Sequence, residues 1–418
     1  MKIAIFGHTL YAAVMSSLLA ECGHEVYVCN DLAESAKFND TREKDVIDAI
    51  ERQSQMGFLK FCDLINLPLD IDAYIFSYNH LQKSVALQVI EKLSRRPIIH
   101  PKLMINTSTF GLHGTHQLKQ TLNQDFWLYL PDGIQEGQAF RSVLSAKKVI
   151  IGCDDAEANP IIQEMLRPLF PRPDQFHFMP VLDAEFTKIS ISGMLATRIS
   201  YINDLALVAE KIGVDIENVR SGMAADNRIG ASYLYPGVGF GGENFSHDIL
   251  TLTDTVVDTG IQSQLLSQVW AINEQQKEYL FRHLWNYYHG ELSGKTVAIW
   301  GAAFKVNTSR TKYSPVHPML NALWAQGVKI RLHDPQAMDE MKKIYGERED
   351  LIYCENQYEA LENADALCVL TAWKSYWTLD YQKMHQLMAH PLVLDGRNIF
   401  NPSYVKQQGF AYKGVGRL

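Results

Sequence analysis

The stretch Lys2-Ile3-Ala4-Ile5-Phe6-Gly7-His8-Thr9-Leu10-Tyr11-Ala12 decides how the start of the chain is read. Lys2 to Phe6 is a short apolar run of the kind buried in a parallel sheet. Gly7 opens a turn, a helical stretch follows over 11–22, and Gly23-His24 ends it. Glu25-Val26-Tyr27-Val28-Cys29 is the next strand. A strand, turn, helix and strand of this length make a βαβ unit, and the right-handed crossover sets the two strands side by side in parallel. Ala73-Tyr74-Ile75-Phe76, Leu103-Met104-Ile105-Asn106 and Lys148-Val149-Ile150-Ile151 supply further strands. Residues 1–181 therefore read as a doubly wound domain.

From about Leu182 the period changes. Ile189, Ile191, Leu195, Ile199, Ile202, Leu205 and Val208 recur at helical spacing with Lys and Glu between them. A helix this long, apolar on more than one face, packs against something beyond its own domain. Helical pattern continues over 246–290, so 182–290 reads as a helical connector and a homodimer surface. At Gly294-Lys295 the βαβ style restarts. Thr296-Val297-Ala298-Ile299-Trp300 is a strand ending in Gly301, with helix over 315–326. Val328 to Leu332, Ala366 to Leu370 and Leu392-Val393-Leu394 complete a smaller domain over 291–418. The fold class expected is α/β, with two doubly wound Rossmann-like domains joined by a long central helix and a helical connector.

Composition narrows the partners. Of 418 residues, 47% are hydrophobic and 21% charged, which is a globular balance. A net charge of -8 leaves no basic excess to neutralise phosphates, so nucleic acid is not an expected partner. No run of 18 or more apolar residues spans a membrane, and the N-terminus shows no secretory pattern, so a cytoplasmic location is expected. The six cysteines (Cys22, Cys29, Cys62, Cys153, Cys354, Cys368) form no C-x-x-C pair and read as reduced thiols. No histidine-carboxylate spacing indicates a metal.

The motifs carry more. Tyr235-Pro236-Gly237-Val238-Gly239-Phe240-Gly241-Gly242 puts four glycines in six residues, which allows close backbone approach. It resembles the glycine-rich sugar-nucleotide loop of the UDP-glucose/GDP-mannose dehydrogenase family. Ala184-Glu185-Phe186-Thr187-Lys188 resembles that family's lysine-bearing helix, and Arg228-Ile229-Gly230 its segment lending an arginine to a neighbouring subunit's ligand. Gly301-Ala302-Ala303-Phe304-Lys305-Val306-Asn307-Thr308 is similar to the G-x-A-F-K-x-N-T stretch of its UDP-binding domain. Ser314-Pro315, Asp334-Pro335, Leu370 to Trp373 and Asp395-Gly396-Arg397-Asn398 follow in family order.

The resemblance implies NAD as cofactor, bound by a dinucleotide-binding domain over 1–181, and a nucleotide sugar, a UDP-sugar by default, as substrate, bound by the domain over 291–418. It implies a catalytic set of Lys188 for the oxyanion, Asp248 for water activation, Thr109 for a held water, and Glu136. For cofactor contact it points to Gly7, Thr9, Leu10, Asn30, Asp31 and Thr109. Substrate contacts carry over to Asp132, Glu136, Lys188, Ser192, Arg228, Tyr235, Gly239, Phe240, Gly241, Gly242, Phe304, Lys305 and Arg397. Planar guanidinium groups suit a diphosphate.

Two clusters depart from the family. Where it reads G-x-G-x-x-G, this chain has Thr9 and Ala12, and Asn30 stands at the acidic ribose position with Asp31 beside it. The V-G-T-P stretch is replaced by Tyr78-Asn79-His80-Leu81. The catalytic cysteine is Asn244, in Glu243-Asn244-Phe245-Ser246-His247-Asp248, and an asparagine one turn beyond the lysine is Ser192. A thiolate captures an aldehyde and leaves again as a thioester hydrolyses; an amide does neither. The expected activity is therefore an NAD-dependent oxidation limited to alcohol-to-aldehyde, or a second step through a hydrated aldehyde. The alternatives are a catalytically inactive nucleotide-sugar-binding relative acting as regulator or partner in polysaccharide precursor synthesis, and non-oxidative or transiently oxidative chemistry such as epimerisation.

Overall fold

In this computed structural model, residues 1–30, 38, 43–96, 103–122 and 126–417 are described, together with the backbone but not the side chain of Asn30. They form two compact units, Met1–Ile191 and Ser192–Leu418.

The first unit holds strands β1 (Lys2–Phe6), β2 (Glu25–Asn30), β3 (Leu59–Asp63), β4 (Ala73–Phe76), β5 (Leu103–Asn106), β6 (Trp127–Tyr129), β7 (Val149–Cys153) and β8 (Phe176–Met179). Helices α1 (Leu10–Glu21), α2 (Lys44–Gln55), α3 (Lys83–Ser94), α4 (Gly114–Thr121), α5 (Ala139–Leu144) and α6 (Asn159–Leu166) flank them. The sheet order is β3-β2-β1-β4-β5-β6-β7-β8. Strand order turns back between β1 and β4, which makes the carboxyl ends of those strands a topological switch point.

The alternation along β1 builds both faces. Ile3 and Ile5 join one core with Val26, Val28 and the buried side of α1. Ala4 and Phe6 join another with Tyr74, Phe76, Val89 and Ile90. The Phe76 ring stacks on Phe6 at 5.5 Å and on Trp127 at 5.7 Å between centroids. Helix α1 is covered from Tyr11 through Ala20, as a helix lodged against a sheet should be.

One pairing departs from an all-parallel reading of this sheet: β6 and β7 run antiparallel, with Leu128 opposite Cys153 and Tyr129 opposite Gly152. An antiparallel neighbour needs no crossover helix spanning the sheet, and only the six-residue α5 lies between these strands. The strand anticipated at 148–151 is β7, Val149–Cys153.

The helix expected from about Leu182 is α7, Val181–Ile212. Leu182, Phe186, Ile191, Met194, Tyr201, Val208 and Ile212 leave large apolar side chains exposed along it.

The second unit continues with α8 (Ile216–Ala225), α9 (Glu243–Asp258), α10 (Leu265–Lys277) and α11 (Tyr279–Tyr287). Then come β9 (Thr296–Trp300), α12 (Val316–Trp324), β10 (Lys329–His333), α13 (Met338–Tyr345), β11 (Leu351–Tyr353), β12 (Ala366–Val369), α14 (Tyr381–Leu387), β13 (Leu392–Asp395), α15 (Pro402–Gln407) and β14 (Ala411–Gly414). Its sheet order is β11-β10-β9-β12-β13-β14, with every pair parallel. β12 is apolar throughout, and β9 and β13 are apolar except for Thr296 and Asp395 at their ends, because both faces are covered. Both sheets thus give the doubly wound α/β class. Among the described residues, no helix is long and apolar enough to cross a membrane.

Candidate functional site

The first unit offers the turn after β1. Gly7 sits at φ +90, and a Cβ there would lie 1.9 Å from the Ser77 carbonyl oxygen, so only glycine fits. Thr9 caps α1: its hydroxyl accepts the Ala12 N–H at 3.1 Å and is hydrogen-bonded to the Ser77 hydroxyl. One of the donors that a helix N-terminus would turn to a phosphate is thereby taken by the protein. In exchange, two hydroxyl groups line the switch point. Ala12 is fully buried, which suits the close helix–strand packing needed there. Tyr78 is buried beside the turn and its N–H donates to Ser108 Oγ at 2.8 Å. The turn, the helix end and the hydroxyl pair fit a dinucleotide, with hydroxyls where bare backbone would otherwise approach. Leu10 is the first residue of α1 and Asn30 the last of β2; Asp31 lies outside the described residues.

Asp132 and Lys188 line one cavity of about 200 Å³ in this unit. Tyr11, Met15, Leu130, Ile134, Leu166 and Phe170 form much of its wall. Burial, with Asp132 and Tyr129 nearby, pushes the Tyr11 hydroxyl well above its ordinary value, so it stays protonated. Thr109 is half-buried in the β5–α4 loop, and Glu136 half-buried after Asp132. Two carboxylates, Glu185 of the lysine-bearing motif and Glu43, which belongs to none, hold these loops. Glu185 accepts the His113 N–H at 2.7 Å and the Thr115 N–H at 2.8 Å, pinning the start of α4. Glu43 accepts from Gly137 N at 2.7 Å and Ala139 N at 2.9 Å, fixing the backbone beside Glu136. Burial raises the Glu43 carboxyl above its usual range, against the lowering effect of those two N–H groups.

The second unit holds the glycine loop. Asn273 grips the backbone of Phe240 with both amide atoms: Oδ1 accepts its N–H at 2.7 Å and Nδ2 donates to its carbonyl at 3.2 Å. Gln276 Nε2 donates to Gly237 O at 2.8 Å, and Asn203 Oδ1 accepts the Gly237 N–H at 2.9 Å. A Cβ on Gly241 would meet Tyr313 O at 2.5 Å; one on Gly242, at φ +94, would meet the Phe304 ring at 2.7 Å. The close approach these glycines permit is to the protein's own backbone and rings. Phe304 is therefore a wall of the loop, with Lys305 Nζ 5.4 Å from its ring centre.

Arg397 follows the buried β13. Its Nε donates to Leu370 O at 2.6 Å and Nη1 to Gly239 O at 3.4 Å, which fixes the guanidinium beside the loop. Burial pulls its pKa down to about 10, while Asp395 acts to raise it, so it is charged at neutral pH. Tyr235 is exposed, with the Arg220 guanidinium 4.4 Å over its ring. Arg228 is exposed and closes on Asp226 at 2.6 Å. Lys277, missed in the motifs, is 3% exposed, pairs with Glu274 at 2.7 Å and lies 5.7 Å from the Trp270 ring centre.

Asn244 stands exposed in the first turn of α9, directly after Gly242 and Glu243. One turn on, Asp248 is buried and accepts a 2.7 Å hydrogen bond from the buried Ser192 hydroxyl. Both cysteines of this unit are buried, which pushes Cys354 up to about 11 and Cys368, inside β12, higher still. Among the described residues, no three His, Cys, Asp or Glu side chains gather as a metal site.

Models of two domains match the chain. Residues 298–402 match the UDP-binding domain of the UDP-glucose/GDP-mannose dehydrogenase family, and 182–275 match its central domain. The chain is similar to a UDP-glucose 6-dehydrogenase of Pseudomonas aeruginosa, 37% identical over 290 residues, covering 69% of this chain and 64% of that protein. A UDP-glucose 6-dehydrogenase of Rickettsia bellii is 27% identical over the whole of this chain and 99% of its own. In fold, the chain matches the structure of a UDP-glucose dehydrogenase from Pyrobaculum islandicum with a TM-score of 0.84 at 23% identity, covering 100% and 98% of the two chains.

Proposed function

The chain belongs to the UDP-glucose/GDP-mannose dehydrogenase family, and we propose that it is an NAD-dependent oxidoreductase acting on the CH–OH group of a nucleotide sugar, with UDP as the nucleotide. The observation that carries this reading is Arg397, a fixed cation set against the clamped glycine loop. A guanidinium held there gives a diphosphate charge and directed donors without reordering on binding.

NAD, when bound, supplies the hydride acceptor. Gly7, Thr9, Leu10, Asn30 and Asp31 would hold it, with the hydroxyls of Thr9 and Ser77 facing its phosphates. Lys188 stabilises negative charge on the reacting sugar oxygen, and Thr109 and Glu136 order a water beside it. Asp132, Ser192, Tyr235, Gly239, Phe240, Gly241, Gly242, Phe304 and Lys305 contribute to seating the sugar nucleotide, and Arg228 is available to a second subunit. Asn244 cannot form a covalent adduct with an aldehyde. The activity therefore stops at the aldehyde, or continues only through its hydrate with Asp248 acting on the water.

Two observations favour a second reading, a nucleotide-sugar-binding relative without turnover: Asn244 in the nucleophile position and the self-capped end of α1 at Thr9. An absorbance assay for NADH against UDP-glucose, UDP-N-acetyl sugars and GDP-mannose tests the oxidoreductase. NADH in one or two equivalents per sugar supports it, and no reduction across the panel removes it. Calorimetry showing UDP-sugar binding without NAD binding establishes the second reading instead. In either case we infer a homodimer through α7, whose exposed Met194, Tyr201 and Val208 repeat every seven residues.

A further inference from the structure

Cys29 and Cys62 occupy registered positions on the neighbouring parallel strands β2 and β3. Their sulfur atoms are 3.6 Å apart. Adjacent strands run about 4.8 Å apart, inside the window of roughly 4.4–6.8 Å between Cα atoms that a disulfide spans. The two thiols are unlike in access: Cys29 is fully buried and Cys62 half-buried on the edge strand of the sheet.

We propose that Cys29 and Cys62 form a reversible dithiol–disulfide couple, closed by a hydroperoxide and reopened by a small thiol. Cys62 is the entry point. It is the more accessible sulfur, and the hydrogen bond from Cys29 holds its pKa below the ordinary thiol value against the effect of burial. Its thiolate attacks the peroxide oxygen, the O–O bond breaks, and the leaving alkoxide or hydroxide takes a proton. The Cys29 thiol then attacks the Cys62 sulfenic acid, an S–S bond forms and water leaves. Two thiols and one hydroperoxide thus give one disulfide, one water and one alcohol or second water. A thiol reductant reverses it by exchange.

Asn30 follows Cys29 at the end of β2, and the function proposed above counts it among the residues that would hold NAD. On that reading, closing the bridge draws the strand end toward β3 and weakens NAD binding.

The full chain is treated with hydrogen peroxide and its peptides are mapped without reduction. The expected result is a Cys29–Cys62 cross-link that dithiothreitol removes and that is missing from Cys29→Ser and from Cys62→Ser. A Cys62 sulfinic or sulfonic acid with Cys29 left as a thiol overturns the couple, as does a cross-link to another cysteine. Near-ultraviolet dichroism of Cys62→Ser, expected to match the wild type, shows whether loss of the cross-link reflects misfolding. NAD titration of the reduced and oxidised chain reads the consequence, with binding weaker by about fivefold or more when oxidised. Equal affinity removes that consequence alone. NAD binding to neither form counts against the proposed function and leaves the cross-link to the peptide map.

Discussion

Ser192 Oγ donates a 2.7 Å hydrogen bond to Asp248 Oδ2, and both side chains are buried. A buried carboxylate is sensitive to the loss of any donor, because no water replaces it. Ser192→Ala is expected to lower the unfolding free energy by about 1.5–3 kcal/mol, the usual range for a hydrogen bond to a charged group. Urea denaturation of the full chain measures this; a loss within about 0.5 kcal/mol would mean that another donor takes over.

The two glycines Gly242 and Gly222 should respond in opposite directions. Gly242→Ala places a methyl 2.7 Å from the Phe304 ring at φ +94, and it should cost at least about 1–3 kcal/mol through strain alone and disturb the loop. Gly222 lies in α8 with nothing within 4 Å of an added Cβ. Gly222→Ala should stabilise by about 0.4–1 kcal/mol. Thermal unfolding of the two variants checks both signs.

Placing a thiol at position 244 provides a chemical test that needs no substrate. Asn244 is exposed in the first turn of α9, where the helix end favours an anion. Asn244→Cys should react with iodoacetamide faster than Cys354 or Cys368, whose burial raises their pKa values. Faster NADH formation in the same variant would show that the remaining groups are competent; slower labelling than Cys354 would show that the turn is occluded.

His317 and His333 give a pH dependence of known sign. Burial is the main cause that pulls both below the ordinary 6.5, and His333 Nδ1 lies 2.9 Å from the Tyr376 hydroxyl. The unfolded chain takes up these protons first as pH falls. Their contribution to stability is thus complete above 6.5 and is lost as pH drops through the lower folded values. Urea midpoints between about pH 8 and pH 5 should fall less steeply in a His317→Gln, His333→Gln variant than in the wild type. An identical slope would refute the assignment.

For the α7 surface, Met194→Glu with Tyr201→Arg should convert a dimer to monomer in sedimentation, since both side chains are more than half exposed within one protomer. A wild-type chain that sediments as a monomer would rule out the assembly.

The two βαβ starts are legible in the sequence because uninterrupted apolar runs such as Ile3–Phe6 and Val297–Trp300 are covered on both faces. β3 is not legible in the same way: on the sheet edge it buries Leu59 and exposes Lys60 and Phe61. β6 and β11 are three residues long, too short for a period. Within the site, the glycine loop stands out by composition. The residues that hold it, Asn273 and Gln276, leave no mark, nor does Glu43, and the motif around Glu185 does not tell what its carboxylate binds. Each binds backbone groups far away in sequence, and an Asn or Glu in a helix looks the same whether it meets water or a distant N–H. The antiparallel β6–β7 pair is hidden for a related reason, since strand direction belongs to the connection and not to the strand.

Gly7 answers first to the packing of its own sheet. Its glycine is enforced by the Ser77 carbonyl across the β1–β4 contact, whether or not a dinucleotide enters. Position 9 has no such tie, because Thr9 rests in ordinary extended backbone. On backbone grounds, position 9 is therefore open to other side chains, while position 7 is closed to all of them.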